Sequence, residues 1–327
     1  MNTLQQIIIR MAAQHDAKRR HTLKGIADRM SVIPDAHFTV TQLIDPPYMI
    51  QLNRRATTMQ RAAIVTATTA QDVASAIRGI AVHDAVQTAI RQAQQSHNPI
   101  PGVEPGVRIA YMVEPGWVIS TEPDFIETDP DTSKRTVVDI KTVRASVTSA
   151  RKEWVQQLRF EAILLAMHFS RVQQAAIECW HMDYTPGGVT GSSGAFLRIP
   201  IPLDNLSKDE LMERFSLHKL AVHQHQDEIS PCTPEECWAK PDQFVVQYID
   251  TNKTLKGGIH ATPEAAAQFI VSGNYKRAVR VAHRRGVCVR CLNYCNVRAI
   301  CPFGIQRAGE AACATSEPDS VGTEVSG

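Results

Sequence analysis

Between residues 135 and 184 the apolar period of the chain changes twice. "RTVVDIKTV" alternates as a strand, "KEWVQQLRFEAILLAMHF" runs at helical spacing, and "QAAIECWHMDY" returns to strand character. A chain with this pattern folds as α/β, with a helix laid over a sheet. On a period-two strand Asp139 and Lys141 share one face, while Val138 and Ile140 pack on the other. With 43% hydrophobic residues in 327, there is ample material for a core. The formal charge of +2 says little about partners, because a nucleic-acid footprint is a local concentration of Lys and Arg.

The flanking segments extend the same architecture. Residues 1 to about 33 read as helical, with Leu4, Ile7, Ile8 and Met11 at helical spacing. In "FTVTQLIDPPYMIQLNRR" the Asp45-Pro46-Pro47 step breaks a short helix, and a long helix is expected from about Thr69 to Gln95. "GWVISTEPDFIE" and "RTVVDIKTV" flank "TDPDTSK", which predicts an antiparallel hairpin. Further on, "GAFLRIPIPL" reads as a strand after a Gly/Ser loop. "SKDELMERFSLHKLAVHQHQDEI" reads as a helix opened by a capping box at Ser207 and Glu210. "QFVVQYI" predicts a strand and "TPEAAAQFIVSG" a helix with a glycine stop.

At the N-terminus the apolar run is short and the basic residues follow it, so secretion is not expected. No stretch reaches the roughly 18 apolar residues of a membrane span, which points to the cytoplasm and no membrane. There thiols stay reduced, and the eight cysteines, none before Cys179, read as metal ligands more readily than as disulfides.

One carboxylate beside a lysine is an ion pair, and a divalent ion needs more. Asp124, on the other arm of the expected hairpin, supplies a second carboxylate, and the Ile140 backbone carbonyl a further oxygen for Mg²⁺ or Mn²⁺. Such an ion would polarise a scissile phosphate and activate water, with Lys141 orienting that water or neutralising charge. An isolated Asp-x-Lys is ordinarily a strand-edge salt bridge, so context must decide. "RGIAVHDAV" adds Gly79 and, four residues on, His83, the glycine allowing close approach and the imidazole a further ligand. "EWVQQLRFEA" adds Gln157, whose amide can hold water or a phosphate oxygen.

In order, Gly79-x-x-x-His83, Asp124, Asp139-x-Lys141 and Gln157 resemble the PD-(D/E)XK nuclease superfamily in its RecB-like exonuclease branch, and more narrowly phage-encoded RecB-like nucleases. "FTVTQLIDPPYMIQL", "PCTPEECWAKPDQFVVQ" and "VRCLNYCNVRAIC" extend the likeness to roughly residues 36–302. The resemblance implies a restriction-endonuclease-like core, a central mixed sheet flanked by helices. It also implies metal-dependent hydrolysis of DNA phosphodiesters, often by an exonuclease, in phage recombination, repair or processing within the bacterial cytoplasm. By the same resemblance Asp124 and Asp139 are metal ligands, Lys141 the catalytic lysine, His83 metal-associated and Gln157 orienting. The chain departs from the pattern in three places. Thr121 stands where a small glycine is usual, Asp139 where many relatives have Glu, and Glu161 where an aromatic commonly follows the glutamine by one turn. These departures keep open a second class, a DNA-binding or partner-binding protein that retains the scaffold with impaired chemistry.

"CVRCLNYCNVRAIC" places Cys288, Cys291, Cys295 and Cys301 in one short segment, a set that suits either a zinc tetrahedron or an iron–sulfur cube. By resemblance Cys291, Cys295 and Cys301 match a terminal trio, Cys288 or Cys232 is the fourth ligand, and a 4Fe-4S cluster is favoured over Zn²⁺. A thiolate-metal redox sensor is a third class, carried by the cysteines alone. From Tyr275 to Cys301 the chain has seven Lys and Arg and no acid, so Arg280, Arg284, Arg285 and Arg290 are expected to contact DNA phosphates. A recombination or single-strand-binding protein is in keeping with the resemblance as a further partner. The expected organisation is an N-terminal helical segment (1–35), a nuclease core (36–285), a cysteine segment packed on it (286–302) and a disordered tail (303–327).

Overall fold

A computed structural model of the chain describes residues 25, 30, 35–68, 70–96, 99–144, 146–168, 172–183 and 194–306. Apart from residues 25 and 30, the expected N-terminal helix lies outside them, as do residues 185–193 of the Gly/Ser loop and the tail beyond residue 306, whereas residues 302–306 form a helical turn. Among the described residues the protein is mixed α/β, with three sheets, one of them five-stranded and mixed, and nine helices, one a short 3₁₀ turn. No helix among them is long and apolar enough to cross a membrane. The chain divides into two compact units, residues 1–50 with 68–229, and residues 51–67 with 230–327.

The first unit opens with β1 (His37–Thr39) and the short α1 (Val40–Ile44). Thr39 caps that helix in a capping box with Gln42, and Asp45 ends it in extended backbone ahead of the two prolines. α2 (Pro47–Arg55) follows, with residues 51–55 counted in the second unit, to which α3 (Thr58–Ala67) also belongs. α4 (Ala70–Gln95) is the expected long helix.

The expected hairpin arm "GWVISTEPDFIE" is two strands in two different sheets. β4 (Trp117–Thr121) lies between β1 and β3 (Ile109–Glu114), whereas β5 (Phe125–Thr128) joins the five-stranded sheet. The break falls at Glu122-Pro123-Asp124, where proline removes a ladder donor and the chain changes sheet. β5 still pairs antiparallel with β6 (Arg135–Val143), so half of the hairpin forms.

The sheet order is β2 (Val103–Pro105), β5, β6, β7 (Gln174–His181), β8 (Phe196–Ile201). β6 and β7 run parallel through α5 (Lys152–His168), the strand–helix–strand unit read from the sequence. Val137 and Ile177 belong to the main core with Leu158, Phe160 and Leu164 of α5. Val138 and Ile140, one residue out of phase, pack with Phe125 and with Ile90, Val86 and Val82 of α4. The strand is therefore buried on both faces, and its polar pair, in its second half, meets Gln157 of α5. α6 (Lys208–His223) is capped by Ser207, whose hydroxyl accepts from the Asp209 N–H. The expected reciprocal arm of a capping box does not form, because Glu210 accepts instead from Gln156 Nε2.

In the second unit β9 (Gln243–Tyr248) lies between β10 (Thr254–His260) and β11 (Val279–Arg284), with α7 (Pro263–Ser272) packed on this sheet through Ala266, Phe269 and Ile270. α8 (Val289–Asn293) carries the start of the cysteine segment.

Candidate active site

Strand register and the turn ahead of β5 together bring the two aspartates close. Phe125 pairs with Val138, so one step further along the antiparallel ladder Asp124 stands opposite Asp139. Asp124 Oδ2 accepts the Ile140 N–H at 2.6 Å, and Oδ1 accepts from His83 Nδ1 at 2.5 Å. Ile140 thus enters the site through its N–H. The Asp124 turn is pinned from behind, since the Gly106 N–H donates to the Asp124 carbonyl at 3.0 Å and Gln87 Nε2 to that of Pro123 at 3.4 Å. A Cβ on Gly106 would lie 1.5 Å from the Pro123 carbonyl oxygen, so only glycine permits this approach. Gly79 is different. A Cβ there would meet Thr142 Oγ1 at an ordinary 3.6 Å, and the close approach expected of that glycine is absent.

Asp139 and Lys141 do share a face, and their charged ends meet at 2.8 Å. Gln157, on the first turns of α5, completes the arrangement. Its Oε1 accepts from Lys141 Nζ at 3.2 Å, and its Nε2 donates to both Asp139 Oδ1 and Glu161 Oε1, each at 3.0 Å. Glu161, one helical turn beyond, is 2% exposed, and its Oε2 has no hydrogen-bond partner. The sequence marked Glu161 only as a departure. A carboxylate inside the apolar run "FEAILL" was the signal that it is buried for a reason.

The electrostatics are those of too many acids in a dry place. Burial, reinforced by Asp124, pushes the Asp139 carboxyl up against the opposing pull of Lys141. Glu161 is pushed up to about 8, first by burial and then by Asp139. Lys141 moves the other way from what burial dictates, because the Asp139 charge and hydrogen bond outweigh desolvation and hold it protonated. For His83 too, burial is outweighed, by the hydrogen bond and charge of Asp124 and by Asp139. Lys141 is thus a cation held against Asp139.

These side chains line a cavity of about 790 Å³, shared with Thr39, Arg108, Ser120, Thr121 and Glu122. Arg108 pairs with Glu122 at 2.7 Å on its wall. All of the catalytic residues expected from the sequence, Asp124, Asp139, Lys141, His83 and Gln157, are on this cavity. Among the described residues no three or more His, Cys, Asp or Glu side chains are drawn into a group arranged to hold a metal ion.

That finding applies equally to the second unit. The expected set Cys288, Cys291, Cys295 and Cys301 is not gathered as a coordinating group. Cys288 is the N-cap residue of α8 and bridges to Ala239 in the backbone. Cys291 Sγ instead approaches Cys237 Sγ at 3.6 Å, across 54 residues of chain. Burial pushes the Cys232 thiol up, helped by Cys237, Glu236, Cys295 and Cys301. Cys295 rises to about 11, chiefly by burial. Cys237 was not among the expected ligands. Of the expected phosphate contacts, Arg290 departs from a surface role: it is 8% exposed, its guanidinium 4.4 Å over the Trp238 ring. Arg280 donates to Asn252 at 2.9 Å, and Arg284 and Arg285 are exposed.

No protein-family model matches this chain, and no curated protein does. A solved structure titled "Crystal structure of SSO0001" is 18% identical, with a TM-score of 0.40 over 62% of this chain and 82% of the other. A superposition that loose carries nothing for the chemistry.

Proposed function

We propose that the cavity is the active site of a divalent-metal-dependent DNA nuclease on the restriction-endonuclease-like core of the PD-(D/E)XK superfamily, in its RecB-like branch. One observation carries the reading. His83, Asp124, Asp139, Lys141 and Gln157, chosen by residue type and order in the sequence, line one cavity with Glu161, Asp124 bonded to His83 and to the Ile140 N–H, and Asp139 tied to Lys141, to Gln157 and, through Gln157, to Glu161.

The donor chemistry fits Mg²⁺ or Mn²⁺. Three buried carboxylates line the cavity beside Lys141 and His83, Glu161 Oε2 lacks a partner, and both Asp139 and Glu161 are pushed up as acids, first by burial and then by neighbouring carboxylates. Asp124 and Asp139 would hold the ion, which when bound supplies Lewis acidity toward a phosphate oxygen and a more acidic water. His83 and the Ile140 N–H fix the Asp124 carboxylate in one orientation. Lys141, held protonated, would neutralise the negative charge that grows on the phosphoryl oxygens as water attacks. Gln157 keeps Asp139 and Lys141 aligned from the helix.

In the second unit this reading assigns exposed Arg284 and Arg285 to DNA phosphates, and the thiols to a 4Fe-4S cluster or Zn²⁺. Neighbouring thiols are the donor chemistry of a soft metal, and no step of hydrolysis runs through it.

The decisive experiment is degradation of linear, circular and single-stranded DNA with Mg²⁺ or Mn²⁺. Asp139→Ala or Lys141→Ala is expected to lower the rate by about a thousandfold or more with circular dichroism unchanged. Unchanged cleavage by both variants overturns the reading. Wild-type protein that binds DNA with steep salt dependence and cuts none of these substrates favours the alternative, a binding protein on the same scaffold, motivated by Thr121 and Glu161.

A further inference from the structure

We propose that a cation, on binding, draws Glu161 in as a third carboxylate ligand through its unpartnered Oε2, since without one Asp124, Asp139 and Glu161 are not gathered as a coordinating group. This inference rests on the nuclease reading only in taking Asp124 and Asp139 as the first two ligands. Three features of Glu161 carry it. It is 2% exposed and lines the same cavity as both aspartates. Its Oε1 and Asp139 Oδ1 each lie 3.0 Å from Gln157 Nε2, so the two oxygens are at most twice that, 6.0 Å, apart. Its other oxygen has no donor, although a buried carboxylate oxygen without one is costly enough to be rare in a folded protein.

A purely structural Glu161 has little to recommend it at this position. Its neighbours Phe160, Ala162, Ile163 and Leu164 are buried and apolar, and an apolar residue would fill the site without the desolvation cost. A hard cation is what a buried carboxylate oxygen without a donor, on a residue that lines a cavity with two further carboxylates, is suited to bind. Gln157 then has a second task. By donating to Asp139 and Glu161 from one nitrogen, it holds both acids toward the same space while no cation is present.

The test is binding of Mn²⁺ alone to the full-length protein, by isothermal titration and by the Mn²⁺-induced rise in Tm. Wild type is expected to bind, and Glu161→Gln, close in shape, to weaken Kd by about tenfold or more and to reduce the Tm rise. Glu161→Ala, with folding checked by circular dichroism, is expected to do the same. Glu161→Gln that binds Mn²⁺ as tightly as wild type, whatever its Tm without metal, overturns this proposal and leaves the nuclease reading standing. Wild type that binds neither Mn²⁺ nor Mg²⁺ at millimolar concentration overturns both.

Discussion

The carboxylate cavity of the first unit and the thiols of the second differ in what holds their side chains. Asp139 and Lys141 are set by the strand period of β6, and Gln157 and Glu161 by the helical period of α5, while Asp124 comes from the turn just ahead of β5. Cys237 sits in a run of turns over residues 234–238, and Cys291 in a helix of five residues. Regular elements repeat, so spacing in the sequence becomes position in space. Turns do not repeat, and the 3.6 Å approach of Cys237 to Cys291 left no trace in the spacing of "CVRCLNYCNVRAIC". The difference also lies in polarity: the first group is a hydrogen-bonded network of charges, the second a set of thiols raised by burial.

The contrast breaks most severely if the backbone beneath the cavity is disturbed. Gly106→Ala drives a methyl into the Pro123 carbonyl, and urea denaturation should register a loss of about 3 kcal/mol or more. Gly79→Ala, with only an ordinary contact ahead of it, is the matched control and should stay near wild type. Next in size is Glu161→Gln without metal. An acid whose folded pKa is about 8, against 4.5 unfolded, stabilises the fold fully below 4.5, and that contribution is lost as pH rises through about 8. The variant should therefore match wild type near pH 4 and exceed it at pH 9, by on the order of 3 kcal/mol in thermal or urea melts. A gain that is the same at both pH values would argue against a buried ionisable Glu161. The smallest effects belong to the thiols. Cys237→Ser buries a hydroxyl and should cost about 1–3 kcal/mol in the same melts. Cys288→Ser, at a helix N-cap where serine is favoured, should fall within about 0.5 kcal/mol of wild type. Equal losses would mean that the two cysteines share one role.

Much of the first unit was legible because its strongest signals are periodic. The β6–α5–β7 run, the long α4 and the break at Asp45-Pro46-Pro47 all follow from apolar spacing and proline. The hairpin was half right, since the sequence showed two apolar runs around Glu122-Pro123-Asp124 but not that the chain changes sheet there. That same turn delivers Asp124 to the site, so the irregularity that spoiled the strand reading is what makes the cavity. β11 was hidden behind its charge. In "VRVAHR" Val279 and Val281 alternate into the core with Val246 and Leu255, yet the arginines between them drew the reading toward a basic surface. Arg290 was misjudged for the related reason that a guanidinium can be buried against an aromatic ring, which composition does not reveal.

The bonds made by Gln157 turn one amide into an oriented dipole. With nitrogen toward two acids and oxygen toward an ammonium, a half-turn about its last side-chain bond would set like against like at every contact. Only a group that donates twice and accepts once fits, so glutamate would bring repulsion, leucine silence, and asparagine would fall a methylene short. The position is thus closed to the substitutions that a helix surface ordinarily tolerates.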